Sequence, residues 1–379
     1  MIIGIDASRN RSGGAIAHVV GIISAGNPLA HGIREVHVWA YKKLLDALPD
    51  LPWLFKHNPP ELERSLFHQM WWQFRSLAKS AKASKCDVLF SSDASTFCRF
   101  RPLVVMSQDM LQYEPGAMRH FGLSKKRLKM IALLLVQNRA MRFADGVIFL
   151  TQYTAKLVQK KLGLLNRIEI IPHGIDEVFK EQQIMVEWPC IGERSIRCVY
   201  VSHVEMYKHQ WVVVKAIAEL RRQGCNINLT LIGGGSGHAQ ELLYKQLLVS
   251  DPQRLFVEIM GFVNHDKLPE LLANSDLFVF ASSCENLPIT LLEAMAVGLP
   301  IACSNRGPMP DVLKDAGIYF DPEDLKSVVE AIEKIIIDAD LRTTIAKRAK
   351  ELSHQYSWDR CSAMTYEFLA SIGRGNAKH

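Results

Sequence analysis

Leu277-Phe278-Val279-Phe280-Ala281, then Ser282-Ser283-Cys284-Glu285-Asn286-Leu287-Pro288, then Ile289-Thr290-Leu291-Leu292-Glu293-Ala294-Met295-Ala296-Val297-Gly298, reads as a buried strand, a short loop and a helix. The unbroken apolar run has the length of a strand covered on both faces, as in parallel sheets. Pro288 suits a first helical turn and Gly298 a helix end. The amides at such a helix start have no partner within the helix and form an anion site, the dipole contributing about 0.3–1 kcal/mol. Glu285 stands just before the helix and Glu293 inside it. Carboxylates cannot bind phosphate, but they accept hydrogen bonds from sugar hydroxyls. Two of them flanking a phosphate site suit a ligand with hydroxyls at both ends, a sugar joined through a diphosphate to a nucleoside. The plainer reading, a surface glutamate and a solvated helical one, has the same spacing.

Similar apolar runs recur on either side. One set lies at residues 2–6, 36–40, 88–91, 103–107, 146–150 and 168–171, the other at 198–201, 229–232, 256–260, 277–281, 300–303 and 318–320. Segments of helical period separate them, so two Rossmann-like α/β domains in tandem are expected, with parallel sheets facing a cleft. The expected domains are residues 1–176, with a terminal helix at about 355–379 packing back on them, and 177–354. Pro172-His173-Gly174 reads as the hinge, His173 being read as structural. A chain of 379 residues is long enough for two cores.

Composition narrows the class. Hydrophobic residues at 48% and charged residues at 22% exclude a disordered chain. Eight scattered cysteines without a Cys-x-x-Cys pair argue against structural zinc and for a reducing compartment. The chain enters a strand at once, with no secretory signal expected, and the longest apolar stretch, 130–150, is cut by Arg139, Arg142 and Asp145. A cytoplasmic protein is expected. Residues 1–176 carry 24 Lys and Arg against 13 Asp and Glu, whereas 177–379 carry 21 against 26. That asymmetry suits one half facing a polyanion, nucleic acid or an acidic membrane. No nucleic-acid recognition motif is present, and no Gly-x-Gly-x-x-Gly follows a strand as a nicotinamide site would require.

The blocks in their order resemble the family 4 retaining glycosyltransferases of the GT-B fold, among them bacterial lipopolysaccharide and polysaccharide sugar transferases. Asp276 through Phe280, Glu285-x7-Glu293 and Gly298-Leu299-Pro300 are similar to the family's donor signature. Asp311-Val312-Leu313, Asp315-Ala316-Gly317 and Phe320-Asp321-Pro322 resemble its next block, and Ile171 through Asp176 its interdomain link. Ser12-Gly13-Gly14 resembles the glycine loop facing the donor phosphates, Met260-Gly261-Phe262-Val263 the loop meeting the nucleobase, and Tyr356-Ser357-Trp358-Asp359 the final helix. The likeness is dense over 200–322 and sparse over 20–100.

The resemblance implies a hexose transferred from a GDP- or UDP-sugar with retention, positive groups aimed at the leaving diphosphate performing much of the catalysis. No cofactor or metal is expected, and transfer should persist in EDTA. The implied catalytic residues are Glu285, Lys208 and His203, with Gln108 and Asp109 positioning the reacting groups. The donor would meet Gly13, Gly14, Ser202, Gly233, Val263, Asp266, Asn286, Leu287, Pro288, Ile289, Thr290 and Glu293. Gly233-Gly234-Gly235 would let the chain approach the donor, or form a plain turn; Asn264, Asp266 and Lys267 are candidates for base selection, a carboxylate there favouring guanine. Two positions depart from the pattern. His203 stands where the family places an arginine, so either it is protonated by phosphate, Ser202 donates instead, or it is a strand-end histidine with local bonds. Gln108 stands where many members have histidine and cannot relay a proton; the leaving phosphate oxygen could take it. These departures leave open a sugar-nucleotide-binding partner without transfer activity, and an epimerase or hydrolase on the same fold.

For the acceptor, residues 118–143 hold seven basic residues (Arg119, Lys125, Lys126, Arg127, Lys129, Arg139, Arg142) and no acidic one, mixed with apolar residues. Trp53, Phe55, Trp71, Trp72 and Phe74 lie upstream. Such a face suits an anionic lipid surface, each cation contributing roughly 1 kcal/mol, and thus a glycan acceptor that is lipid-linked. The 133–136 run is read as core. A solvated basic face with a soluble glycan acceptor is the alternative.

Overall fold

The computed structural model describes residues 1–11, 13–116, 124–182, 188–189 and 194–376. Two compact units result, one of Met1–Gly174 with Tyr356–His379, the other of Ile175–Gln355. The division falls two residues before the expected 176/177 boundary and one after the expected 354/355 boundary.

The first unit holds seven strands: β1 Ile2–Asp6, β2 Glu35–Trp39, β3 Leu54–His57, β4 Val88–Ser91, β5 Leu103–Ser107, β6 Gly146–Phe149 and β7 Ile168–Ile170. All pair in parallel in the order β3-β2-β1-β4-β5-β6-β7. Strands β1, β4, β5 and β6 are buried along their whole length because helices cover both faces. The edge strand β3 was missed from sequence. Its Phe55 is 42% exposed and stacks on His37 of β2 at 4.8 Å between ring centres.

The terminal helix Trp358–Asn376 packs on helix Gly13–Ser24. The contact is close enough to dictate glycine. A Cβ on Gly174 would lie 2.3 Å from the Trp358 backbone nitrogen. Beside it, His18 and His173 are buried together with their Nδ1 atoms 2.6 Å apart.

The second unit has six parallel strands: β8 Ile196–Val201, β9 Ile227–Ile232, β10 Val257–Gly261, β11 Leu277–Phe280, β12 Ile301–Ser304 and β13 Ile318–Phe320. Their order is β10-β9-β8-β11-β12-β13. Strand order therefore reverses between β8 and β11, and ligands of such sheets bind outside the carboxyl ends at that point. At the opposite end, buried Asp276 anchors β11 by accepting from Arg194 Nη1 at 2.6 Å and Arg197 N at 2.7 Å. Helix Ile289–Val297 ends at Gly298 with φ 90°, where the amide of Leu299 reaches back to Ala294 O at 3.2 Å. Among the described residues no helix is long and apolar enough to cross a membrane.

Candidate active site

At the β8/β11 reversal two loops are stitched together. After β8 the chain makes a tight turn over Met206–Lys208 and leaves through His209 at φ 50°. The Tyr200 hydroxyl donates to Lys208 O at 2.7 Å, and Ser283 N donates to Tyr207 O at 2.7 Å. His209 Nε2 and Ser283 Oγ are 2.9 Å apart. The result aims the Lys208 ammonium at Glu285, whose carboxylate accepts its hydrogen bond. Both side chains are largely shielded, and the ammonium also sits 5.4 Å from the Phe280 ring centre. Residues 77 positions apart in sequence thus meet across the switch point.

The helix start lies alongside. Asn286 is half-buried, Leu287 is buried and Pro288 occupies the position before the first turn. Pro288 O accepts from the amides of Leu291 at 3.0 Å and Leu292 at 3.1 Å, so the amides of Ile289 and Thr290 precede the first bonds within the helix. The Thr290 hydroxyl is engaged, donating to Val201 O at 3.1 Å, which fastens the helix to β8. Deeper in, Glu293 is 2% exposed and its Oε1 lies 2.6 Å from His265 Nε2. Burial raises the Glu293 carboxyl, and the hydrogen bond to Glu293 raises His265. Sequence reasoning missed His265, although it named Val263, Asn264 and Asp266 beside it; Val263 is half-buried and Asp266 exposed.

The glycine segment after β9 serves the protein first. At Gly233, φ is 126° and a Cβ would lie 2.1 Å from Ser202 O; Gly235 abuts Val204 in the same way. Only Gly234 of the three faces open space. Ser202 is held by Gln210 Nε2 at 2.8 Å, and exposed His203 has its Nδ1 3.4 Å from Gly234 O. Gly233→Ala is therefore expected to displace the Ser202–Lys208 loop. It should loosen that loop while leaving the sheet intact, measurable by limited proteolysis beside circular dichroism.

Gly13, Gly14, Gln108 and Asp109 belong to the first unit. Gly13 and Gly14 open helix Gly13–Ser24, and Ser12 lies outside the described residues. Gln108 Nε2 contacts Met106 Sδ at 3.6 Å. Asp109 follows β5, accepts from Gln137 Nε2 at 3.3 Å, and keeps an exposed edge. Desolvation of the carboxyl and then the nearby Asp93 raise it to about 6, although the residue as a whole is exposed. Arg9, which donates to Ser95 O at 2.5 Å and offsets that rise, was not read from sequence. Among the described residues no three His, Cys, Asp or Glu side chains are grouped to hold a metal ion.

Two parallel-sheet units of this kind define the GT-B architecture, and comparison with known proteins narrows it to a family. Residues 20–179 match the family model described as Glycosyltransferase Family 4, and residues 190–352 that described as Glycosyl transferases group 1. The chain belongs to the family 4 glycosyltransferases. It is 30% identical over 135 residues to O-antigen chain mannosyltransferase B of Escherichia coli, which is 36% of this chain and 35% of that protein. It is 28% identical over 251 residues to a GDP-mannose-dependent alpha-(1-6)-phosphatidylinositol monomannoside mannosyltransferase of Mycobacterium tuberculosis, 60% of this chain and 63% of that one. In both cases the matched part spans less than two thirds of the relative. Among solved structures, sucrose-phosphate synthase of Thermosynechococcus elongatus superposes with a TM-score of 0.75 at 16% identity, covering 99% of this chain and 100% of that one. Anabaena HepE, in complex with UDP and glucose, gives 0.69 at 20%, covering 98% and 99%. These likenesses establish the fold.

Proposed function

We propose that this protein is a retaining glycosyltransferase that moves a hexose from a GDP- or UDP-sugar to a glycan acceptor, lipid-linked, in bacterial surface polysaccharide synthesis at the cytoplasmic face of the membrane. The observation that carries the reading is the joining of Lys208 and Glu285 beside the Ile289–Val297 helix start, at the strand-order reversal. Donor diphosphate would take the Lys208 ammonium from Glu285 and lie against the amides of Ile289 and Thr290. Glu285, released from the lysine, would accept hydrogen bonds from the transferred sugar. As the glycosidic bond breaks, charge grows on the diphosphate where those donors point, which lowers the barrier. The first unit would carry the acceptor near Gln108 and Asp109, and the departing phosphate oxygen would take the acceptor's proton.

Two relatives whose names describe mannosyltransferases, one GDP-mannose-dependent, support GDP-mannose as the first donor to try. UDP-glucose follows, since HepE is described bound to it. Thermal shift with a nucleotide-sugar panel selects between them, because a ligand at 100 times its Kd adds about 2.7 kcal/mol of stability. Lys208→Ala is expected to weaken diphosphate binding and slow transfer together. Exposed His203 at the arginine position favours one competing reading, a nucleotide-sugar-binding partner without transfer activity. A strong thermal shift with no product from any acceptor would select that reading.

Membrane docking is supported by helix Lys125–Phe143. Its Leu128 and Leu135 are 69% and 63% exposed among Lys125, Lys129, Arg139 and Arg142. The expectation that 133–136 is core is corrected: Leu135 lies on the outer stripe with Leu128 and Ile131, and Leu133, Leu134 and Val136 are only half-buried. Phe67 and Trp71 add a second exposed apolar group in the same unit, 71% and 50% exposed. Arg119, Phe121 and Leu123 lie outside the described residues. The protein is expected to float with anionic liposomes at low salt and to be released by high salt; failure to float would leave a soluble glycan as acceptor.

A further inference from the structure

The pairing of Glu293 with His265 has a feature that helix packing leaves unexplained. Glu293 Oε1 is held by His265 Nε2 at 2.6 Å, while Glu293 Oε2 is buried with no hydrogen-bond partner among the described residues. A carboxylate oxygen left bare in the interior is costly unless a donor arrives from outside the chain. The residue sits in the helix whose start is the diphosphate site, so a ligand running along that helix would present its hydroxyls here. On the other side of the imidazole, His265 Nδ1 lies 3.8 Å from Asp176 Oδ2, and the Phe179 ring packs at 5.3 Å. Glu293, Asp176 and Asp266 are the charged groups acting on the imidazole, and all three favour its cation, which in turn favours the Glu293 carboxylate.

We propose that His265 is a positioning residue for nucleotide recognition: it grips one oxygen of Glu293 so that the other is held ready for the ribose hydroxyls of the donor. This rests on the donor reading above, in which Glu293 already meets donor hydroxyls, and adds to it the residue that positions that carboxylate. The site should distinguish a ribonucleotide from its deoxy counterpart, and His265 should be the reason it does so sharply. A histidine that only filled space would affect every nucleotide alike.

Isothermal titration with UDP, GDP and their 2′,3′-dideoxy forms tests this. For whichever base binds, His265→Ala should weaken the ribonucleotide about tenfold, in the range of one charge-assisted hydrogen bond, and leave the dideoxy form nearly unchanged. His265→Gln, which keeps a donor of similar reach, should recover most of the loss. Glu293→Gln should erase the preference for ribose, and adding His265→Ala to it should cost little more. Equal losses on ribose and dideoxy forms would overturn the proposal. So would a Glu293→Gln variant that still discriminates, a result accessible even if the alanine variant does not fold. If the unmodified protein binds neither UDP nor GDP, the donor reading falls as well. If it binds ribose and dideoxy forms equally, only the role given to His265 and Glu293 falls.

Discussion

Glu285→Gln should reduce turnover by at least ~100-fold while the protein remains folded, since losing one preorganised polar contact to a transition state costs about 10²–10³ in rate. The substitution keeps the size of the side chain and removes its charge. It therefore loosens Lys208 without opening a cavity, and the stitching of the loops through Tyr200, Tyr207 and Ser283 does not depend on the carboxylate. Diphosphate affinity should hold or rise, because Glu285 no longer competes for the ammonium. A loss in kcat with donor KM unchanged or lower is thus the signature, read from initial rates at saturating acceptor. Unchanged turnover would remove Glu285 from the chemistry.

Acid should destabilise the first unit through His18 and His173. Their Nδ1 atoms are 2.6 Å apart, so one must donate and the other accept. Both rings are buried, and His18 Nε2 lacks a partner among the described residues. Burial, then the neighbouring His173, holds His18 well below its ordinary range, and burial lowers His173 to about 4. The unfolded chain titrates near 6.5. Between about 4 and 6.5 it therefore binds more protons than the native state, and stability must rise with pH through that window and level off above it. His173 alone, displaced from about 6.5 to about 4, is responsible for roughly 3 kcal/mol lost on going from pH 7 to pH 4. Urea midpoints across this range should show the slope, and a His18→Asn, His173→Asn double variant should flatten it even if less stable throughout. An unflattened slope would place the acid sensitivity elsewhere.

Much of the fold could be read locally, because a strand buried on both faces announces itself as an apolar run. Strand β11 and the helix ending at Gly298 are examples in which burial, turn chemistry and helix stop agree. Strand β3 escaped because Leu54-Phe55-Lys56-His57 is short, mixed and lies at a sheet edge, where one side needs no apolar cover. Leu135 was misjudged because an apolar run in a helix exposes whichever residues its pitch turns outward. The site divides in the same way. Glu285, Glu293 and the helix start share one segment and could be reasoned about from spacing, whereas Lys208 came only through family resemblance. His265 and Glu293 are 28 positions apart, and His18 and His173 are 155 apart. Nothing local marks such partners, which meet only in the folded chain.

The most direct test is a crystal structure with the bound nucleotide-sugar that gives the largest thermal shift. The diphosphate should lie against the amides of Ile289 and Thr290 with Lys208 turned onto it, the hexose at Glu285 and the ribose at Glu293. A nucleotide-sugar bound away from that helix start, with the Lys208–Glu285 pair intact, would contradict the account.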